Sequence, residues 1–435
     1  MSSGLGMQVR RSYDRNHPWY QGALFRGFVF AVLVCLALFQ LWLAFFEQGI
    51  FTAPDQQSLL FRKQQDPGIL VALAQAQRLH GELSAARDLY RKALKNNPYF
   101  LPAWLGLASL EADSGHVDKA VAIVRRLNSD GRATGWWRWD KALLEYQLGL
   151  MDILTRDLAY LVEYSPSNRK KAMDLGFALW PDPAELLRRM GSRNVLHLFR
   201  HALRKKNIDS AVFFWPLVEH SAELKPRERL RFIEQLRRND RVEQAVAIWR
   251  QYFDSQSLLH NGDFSSPFLY RGFGWRCWRN GKLKGVHWRL EKKAGNEEQP
   301  SMHIWFDGSD NVQFAHLFQV VALQGGKEYL LMGSIRTKNL TTDQRPYFEV
   351  VGARCKAVPQ RMDMVKPNQP WTPFILRFEV PDECRTMLVR LRRRPSISID
   401  NRISGDLWIR NMKLEPVVSD SMKPFQASSV PGNSP

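Results

Sequence analysis

A step of 34 residues recurs through the first half of the chain and limits the folds that it can adopt. Gly81, Gly115 and Gly149 are each 34 residues apart. The same step separates small residues at other positions of the period, and twice the step separates two prolines: Ala74, Ala108 and Ala142; Ala86 and Ala120; Pro98 and Pro166. A period of this length is typical of stacked helical hairpins, each of which buries its apolar face only against its neighbours. The sequence therefore predicts an all-α solenoid.

Each period contains the residues that a pair of antiparallel helices needs. In the first unit, Gly81 permits a tight turn between the two helices. The small side chains of Ala74 and Ala86 let these helices approach each other closely. Pro98 then ends the second helix before the next unit begins.

The phase of the repeat breaks once. The next step of the period falls on Pro183, inside a Trp-Pro-Asp-Pro sequence that cannot form a helix interior. The 34-residue spacing resumes with Ala211 and Ala245. We therefore predict helical repeats over residues 67–254, with two degenerate hairpins at the end.

The first unit carries a series of apolar, small and turn residues at set positions: Leu73, Ala74, Gly81, Ala86, Tyr90, Ala93 and Pro98. This series resembles the tetratricopeptide repeat family. The resemblance implies a curved solenoid whose concave face binds a peptide or helix of a partner protein. Trp136, Trp137 and Trp139 are candidates for the partner surface, with packing between repeats as the alternative. A purely spacing role for the repeats also stays open.

From Leu258 onward the apolar pattern changes from a helical period to alternation. Seven segments alternate and are separated by clusters of Gly, Pro, Asn and Asp: residues 302–306, 312–321, 328–336, 347–352, 374–380, 387–394 and 406–414. Short alternating segments at this density indicate antiparallel strands. The sequence therefore predicts an all-β antiparallel sandwich over residues 258–416.

Three motifs stand out in this second half: Asn261-Gly262-Asp263-Phe264 followed by Gly274-Trp275, the run from Gln319 to Tyr329, and the run from Gly405 to Met412. They resemble the opening, the turn into a central strand, and the final strand of jelly-roll carbohydrate-binding modules with a galactose-binding-like fold. The resemblance implies glycan contact, although such folds also bind proteins or are purely structural. Ser265 and Arg410 stand where acidic residues often help to hold a structural calcium, so we predict no calcium site there. We also expect no other metal and no cofactor.

A candidate ligand surface follows from the alternation inside the strands. Its members oppose the apolar residues of their own strands: His303, Trp305, Arg377, Arg390 and Arg392. If these faces converge, they form an aromatic and guanidinium surface suited to an acidic polysaccharide or to phosphate groups. A solvated basic sheet face is the alternative.

Residues 27–46 form an apolar run without a single charge. About twenty residues of helix span a hydrocarbon core of about 30 Å, and the Leu, Val and Phe of this run favour insertion by roughly −4 to −8 kcal/mol. A cleaved signal peptide is the alternative, but its apolar region is usually shorter. Because arginines concentrate before the run, we predict residues 1–26 in the cytoplasm, a signal anchor in the inner membrane, and a periplasmic or otherwise extracytoplasmic bulk. Residues 47–66 form a linker and residues 417–435 a disordered tail.

The formal net charge of +19 favours an anionic partner, and the predicted location argues against nucleic acid. Three of the four cysteines, Cys277, Cys355 and Cys384, fall in the C-terminal third. An oxidising compartment permits one disulfide among them. We predict the pair Cys355 and Cys384, because both flank predicted strands.

The sequence contains no phosphate-binding loop, zinc-protease motif or nucleophile elbow. We therefore expect no enzyme, but a membrane-anchored scaffold of the bacterial envelope in surface polysaccharide synthesis or export. Its repeats would bind a partner protein and its sandwich would contact glycan or protein. One alternative is a purely protein-binding assembly factor of a secretion or pilus system. Another is a glycan-processing enzyme, for which no pair of acids shows a telling spacing.

Overall fold

The structure is a computed structural model that describes residues 66–129, 137–254, 256–277, 283–292 and 299–417. The predicted anchor over residues 27–46 lies outside the described residues, as do the segment before it, nearly all of the linker, Trp136 and residues 418–435. No helix within the described ranges is long and apolar enough to cross a bilayer.

The first part of the described chain is helical. Its twelve α-helices are α1 (Pro67–Leu79), α2 (Leu83–Asn96), α3 (Leu101–Asp113), α4 (Val117–Ser129), α5 (Arg138–Gln147), α6 (Met151–Tyr164), α7 (Arg169–Leu179), α8 (Pro183–Met190), α9 (Val195–Lys205), α10 (Ile208–Val218), α11 (Pro226–Arg238) and α12 (Val242–Tyr252). This confirms the all-α class predicted for the repeats.

Turn glycines and buried alanines shape the hairpins of the first three repeats. Gly81, Gly115 and Gly149 have φ angles of 82°, 79° and 71° in the turns that follow α1, α3 and α5, a conformation that glycine adopts without steric cost. Within each repeat the two helices pack on each other. Ala74 and Ala86 are fully buried, so the backbones of α1 and α2 can approach closely.

The helical series is interrupted between α7 and α8. The chain leaves α7 at Trp180 and enters α8 at Pro183, because a proline suits the first turn of a helix but not its interior. The described chain forms two compact units that separate between Asn194 and Val195. The last two hairpins, α9–α10 and α11–α12, belong to the same unit as the β-strands.

The second part of the described chain is an antiparallel β-sandwich, as predicted. Its strands are β1 (Val286–Glu291), β2 (Ser301–Asp307), β3 (Phe314–Ala322), β4 (Glu328–Lys338), β5 (Tyr347–Gly352), β6 (Gln360–Arg361), β7 (Gln369–Glu379), β8 (Thr386–Arg393) and β9 (Ser404–Pro416). One sheet has the order β1-β2-β9-β4-β7 and the other β3-β8-β5-β6.

Alternation inside the strands separates the core from the outer faces. Along β4, Tyr329, Leu331 and Ile335 are buried in the core, whereas Leu330, Met332 and Ser334 are partly exposed. The opening motif contributes Trp275 to the same core, where its ring lies 5.5 Å from the ring of Phe264. The strand period of two therefore decides which side chains reach the outer faces.

The hairpin α11–α12 contacts the loop before β1 through a buried ion pair. The Glu234 carboxylate of α11 lies 2.6 Å from the Arg276 guanidinium and 2.8 Å from Arg237. Burial alone raises the pKa of Glu234, but these two guanidinium groups outweigh it and hold the pKa below its usual range. Trp249 of α12 packs edge-on against Phe273 of the same loop. These contacts join the last hairpin to the sandwich.

The structure contains a disulfide between Cys355 and Cys384, with 5.5 Å between the two Cα atoms. Cys384 lies directly before Arg385, whose guanidinium contacts the Glu243 carboxylate of α12 at 2.9 Å. Cys277 is buried and does not take part in this disulfide. The disulfide therefore fixes a loop that also contacts the last helical hairpin.

Candidate functional site

The first helices of three successive repeats line a groove. Helix α1 contacts α3, and α3 contacts α5. The cavity between them has a volume of about 480 Å³ and is lined by these residues: Gly68, Val71, Gln75, Arg78, Tyr90, Phe100, Pro102, Leu105, Gly106, Ser109, Trp137, Asp140, Leu143, Leu144 and Gln147. Its volume falls in the usual range of ligand pockets.

Apolar and aromatic groups dominate the surface of this groove. Trp137 is 42% exposed and Leu143 is 38% exposed, so both present apolar area to a ligand. A side chain at Gly106 would begin only 2.3 Å from the Tyr90 ring, which explains why glycine stands at this close contact. Arg78 forms an ion pair with the Asp113 carboxylate. The groove is therefore suited to an apolar segment rather than to a highly charged one.

The three candidate tryptophans do not lie together. Trp137 lies directly before α5 and lines the groove. Trp139 is half-buried outside the groove lining, and the Lys171 ammonium lies 5.7 Å from its ring centroid. Trp136 lies outside the described residues.

A buried cluster of charges stands behind the groove, between α5 and α6. The Lys141 ammonium donates to the Asp157 carboxylate at 2.7 Å and to the Glu145 carboxylate. Arg138 donates to Asp157 at 2.8 Å. Burial, and then the charge of Asp157, raise the pKa of Glu145 to about 7. This cluster was not predicted from the sequence, although Lys141 and Glu145 stand at the i, i+4 spacing of a helical ion pair.

A second candidate site covers one end of the outer face of the five-stranded sheet. The rings and guanidinium groups that form it, here called the stacked face, are His287, Trp305, His303, Trp408, Arg336, Trp371 and Arg410. The His303 ring stacks on Trp408 with 4.4 Å between centroids. The Arg336 guanidinium lies 4.2 Å from the Trp408 ring, and Arg410 lies 4.0 Å from the Trp371 ring. Stacked π groups thus extend across all five strands.

A carboxylate holds the histidine of this stack. His303 Nε2 donates to Asp406 Oδ1 at 2.8 Å. His303 is buried, and its Nδ1 lies 3.0 Å from Glu291 Oε1 without the geometry of a hydrogen bond. The hydrogen bond to Asp406 therefore orients the ring that stacks on Trp408.

The structure brings together only two of the five predicted ligand residues, His303 and Trp305. Arg377 lies on the outer face of the same sheet, but at the opposite end of β7, where its guanidinium pairs with the Glu328 carboxylate.

Arg390 and Arg392 lie on β8 in the other sheet, where both bind the buried Glu349 carboxylate at 2.6 Å and 3.2 Å. The five predicted side chains therefore do not form one surface. Alternation within a strand decides the face of a side chain, whereas the sheet that the strand joins depends on distant pairing partners.

The stacked face also contains residues that the sequence analysis did not select as ligand contacts. Trp408 and Arg410 alternate with apolar residues along β9, so the strand period contained a signal for them. Trp371 and Arg336 gave a weaker signal, because their mutual contact depends on the pairing of β7 with β4.

Beside the stacked face, a cavity of about 570 Å³ opens between β4, β7 and β9. It is lined by Arg336, Thr337, Lys338, Asn368, Gln369, Pro370 and Trp408. Nowhere in the described part of the chain is a group of three or more His, Cys, Asp or Glu side chains placed to hold a metal ion.

Residues 77–137 match the tetratricopeptide repeat family, and no curated protein sequence matches the chain. A solved CBM4 structure is 14% identical, with coverage of 36% of this chain and 99% of that chain and a TM-score of 0.26. A Stig cyclase from Fischerella sp. TAU is 12% identical, with coverage of 36% and 94% and a TM-score of 0.27.

The pilF protein of Pseudomonas aeruginosa is 16% identical, with coverage of 44% of this chain and 93% of that chain and a TM-score of 0.24. The described chain is therefore a series of helical hairpins, which match the tetratricopeptide repeat family over residues 77–137, followed by an antiparallel β-sandwich.

Proposed function

We propose that this chain is a non-catalytic scaffold that binds an apolar segment of a partner protein in the groove of its repeats. In this proposal residues 27–46 anchor the chain in the inner membrane, the bulk lies outside the cytoplasm, and the process served is surface polysaccharide synthesis or export. A secretion or pilus system is the competing assignment. The identity of the partner separates the two.

One observation carries the proposal: three repeats present a continuous apolar groove of about 480 Å³ with partly exposed Trp137 and Leu143 at its edge. A tryptophan at the border of an apolar pocket is the residue type that contributes most to protein interfaces. The groove crosses three helices, so an extended or helical segment can contact all three repeats at once. Tetratricopeptide-like stacking supports this assignment.

Site-specific photo-crosslinking in cells tests the groove. A photoreactive residue at Leu143 should give an adduct of defined mass, and Trp137→Ala should reduce its yield by about tenfold or more. The matched control is the same photoreactive residue at Leu217, an exposed leucine of α10. Equal adducts at both positions, unaffected by Trp137→Ala, would refute binding in the groove. Polysaccharide synthesis or export subunits in the adduct favour the first assignment, and secretion or pilus components favour the second.

A second binding function, for a glycan, is favoured by the stacked face. Trp305, Trp371 and Trp408 are each partly exposed on this face. Their exposed edges, with the imidazole and guanidinium groups stacked between them, offer a sugar ring an apolar surface bordered by polar groups. The neighbouring stacks hold these rings in place before a ligand arrives, which lowers the entropy cost of binding.

Affinity electrophoresis of the full chain in gels that contain polysaccharide tests this second function. Trp408→Ala should abolish the retardation of the chain. The control is Ile375→Ala, an exposed position on β7 away from the stacked face. Unchanged mobility of the wild-type chain in every acidic and neutral polysaccharide tried would rule the glycan function out.

A further inference from the structure

The cavity beside the stacked face is lined by charges of one sign. Of its seven lining residues, the two charged ones, Arg336 and Lys338, are both cations. They stand two residues apart on β4, so their side chains leave the sheet on the same face. Trp408 forms the aromatic part of the same lining.

The nearest acidic group on this face is already engaged. Asp406 is the cross-strand neighbour of Lys338, but its Oδ1 accepts the hydrogen bond from His303. Lys338 is exposed and forms no ion pair with any residue in the part of the chain that the structure describes. Its positive charge is therefore available to a ligand.

The guanidinium of Arg336 is held in position before binding. It lies 4.2 Å from the centroid of the Trp408 ring and 5.2 Å from that of Trp371. Stacking between two rings restricts the rotation of a long side chain, so less entropy is lost when a ligand binds. A planar, oriented guanidinium beside an ammonium group is suited to a carboxylate.

We propose that this cavity binds a sugar unit that carries a carboxylate, so that the glycan of the sandwich is an acidic polysaccharide. This inference rests on the proposed glycan function and names its substrate class. The faces of the Trp408 ring contact His303 and Arg336, so the sugar ring packs on the exposed edge of Trp408. The carboxylate accepts hydrogen bonds from Arg336 and Lys338. A neutral sugar can use the aromatic surface but gains nothing from the two positive charges.

Titration calorimetry of the purified full chain with two matched probes tests the inference. The probes are a β-1,4-linked glucose hexamer and a β-1,4-linked glucuronic acid hexamer, each measured at low and at high NaCl. The acidic hexamer should bind about tenfold or more tightly, and its advantage should shrink with salt because the charges are exposed. Lys338→Gln should weaken the acidic hexamer about tenfold and leave the neutral one unchanged.

Lys413→Gln provides the control, since Lys413 is an exposed lysine of β9 outside the cavity lining. Its binding of both hexamers should equal that of the wild type. Equal affinity for the two hexamers would overturn the acidic class and leave the glycan function intact. Loss of the neutral hexamer on Lys338→Gln would overturn it as well. If neither hexamer binds, the glycan function fails and the inference fails with it.

Discussion

Replacement of Lys141 by methionine should destabilise the third repeat strongly. The Lys141 ammonium is fully buried between α5 and α6, where it donates to Asp157 at 2.7 Å and to Glu145, two carboxylates that are themselves buried. Lys141 is the cation that pairs with Glu145, whereas the described ion pair of Arg138 is with Asp157. Removal of one partner from a buried ion pair costs about 3–5 kcal/mol, because it leaves an uncompensated buried charge.

Hydrogen exchange followed by mass spectrometry measures this loss of stability in individual peptides. Peptides from α5 and α6 of Lys141→Met should exchange roughly two to four orders of magnitude faster than in the wild type, since each 1.4 kcal/mol is about a factor of ten. The control is Lys170→Met, an exposed lysine of α7, which should change stability by less than about 0.5 kcal/mol. Exchange that is no faster in Lys141→Met than in Lys170→Met would refute the reasoning.

Three further predictions concern other contacts. The pKa of Glu145 is raised to about 7 in the folded chain, so its contribution to the free energy of unfolding is complete below the unfolded pKa and is lost as the pH rises through 7. Hydrogen exchange in α5 and α6, corrected for the intrinsic rate, should therefore be slower at pH 5 than at pH 8. Glu145→Gln should abolish that difference. Reduction of the Cys355–Cys384 disulfide, which spans 29 residues, should cost about 3–4 kcal/mol, and an unchanged melting temperature in reductant would contradict this. Gly272→Ala should destabilise the contact of α12 with the loop before β1 by about 1–3 kcal/mol, because its Cβ would lie 2.8 Å from the Trp249 ring at a φ of +60°; urea unfolding followed by tryptophan fluorescence measures the loss.

The helical repeats were predictable because their signals are local. A glycine at each 34-residue step occupies the positive-φ turn of a hairpin, and alanines at fixed offsets are fully buried where two helices meet. The burial of Lys141 was not predicted, because a lysine is almost never fully buried unless it is paired. Its partner Asp157 lies on the next helix, and no spacing rule reaches that far.

The groove of the repeats was predictable only in outline. The resemblance implied a binding face, and one of the three proposed tryptophans, Trp137, lines it. Trp139 is the second residue of α5 and does not belong to the groove lining. Trp137, directly before the helix, also has αR backbone angles. Because two residues of helix rotate a side chain by about 200°, the two tryptophans lie on different faces.

The strands and their outward-facing residues also followed from the sequence, but the ligand surface did not. His303 and Trp305 belong to the stacked face, whereas Arg390 and Arg392 lie on the other sheet. The cavity lining with Arg336 depends on the adjacency of β4, β7 and β9, which are distant in sequence.

The sequence alone determined the local structure of this protein: helical hairpins with a 34-residue period, alternating strands, and the face on which each strand side chain lies. These features depend on backbone geometry and on the spacing of apolar residues within a few turns or one strand. Only the tertiary structure decided which faces meet, which cations share a cavity, and that the last helical hairpins form one compact unit with the sandwich. Those outcomes depend on contacts between residues far apart in sequence, such as Arg276 with Glu234 and Arg336 with Trp408, and no local period encodes such pairings.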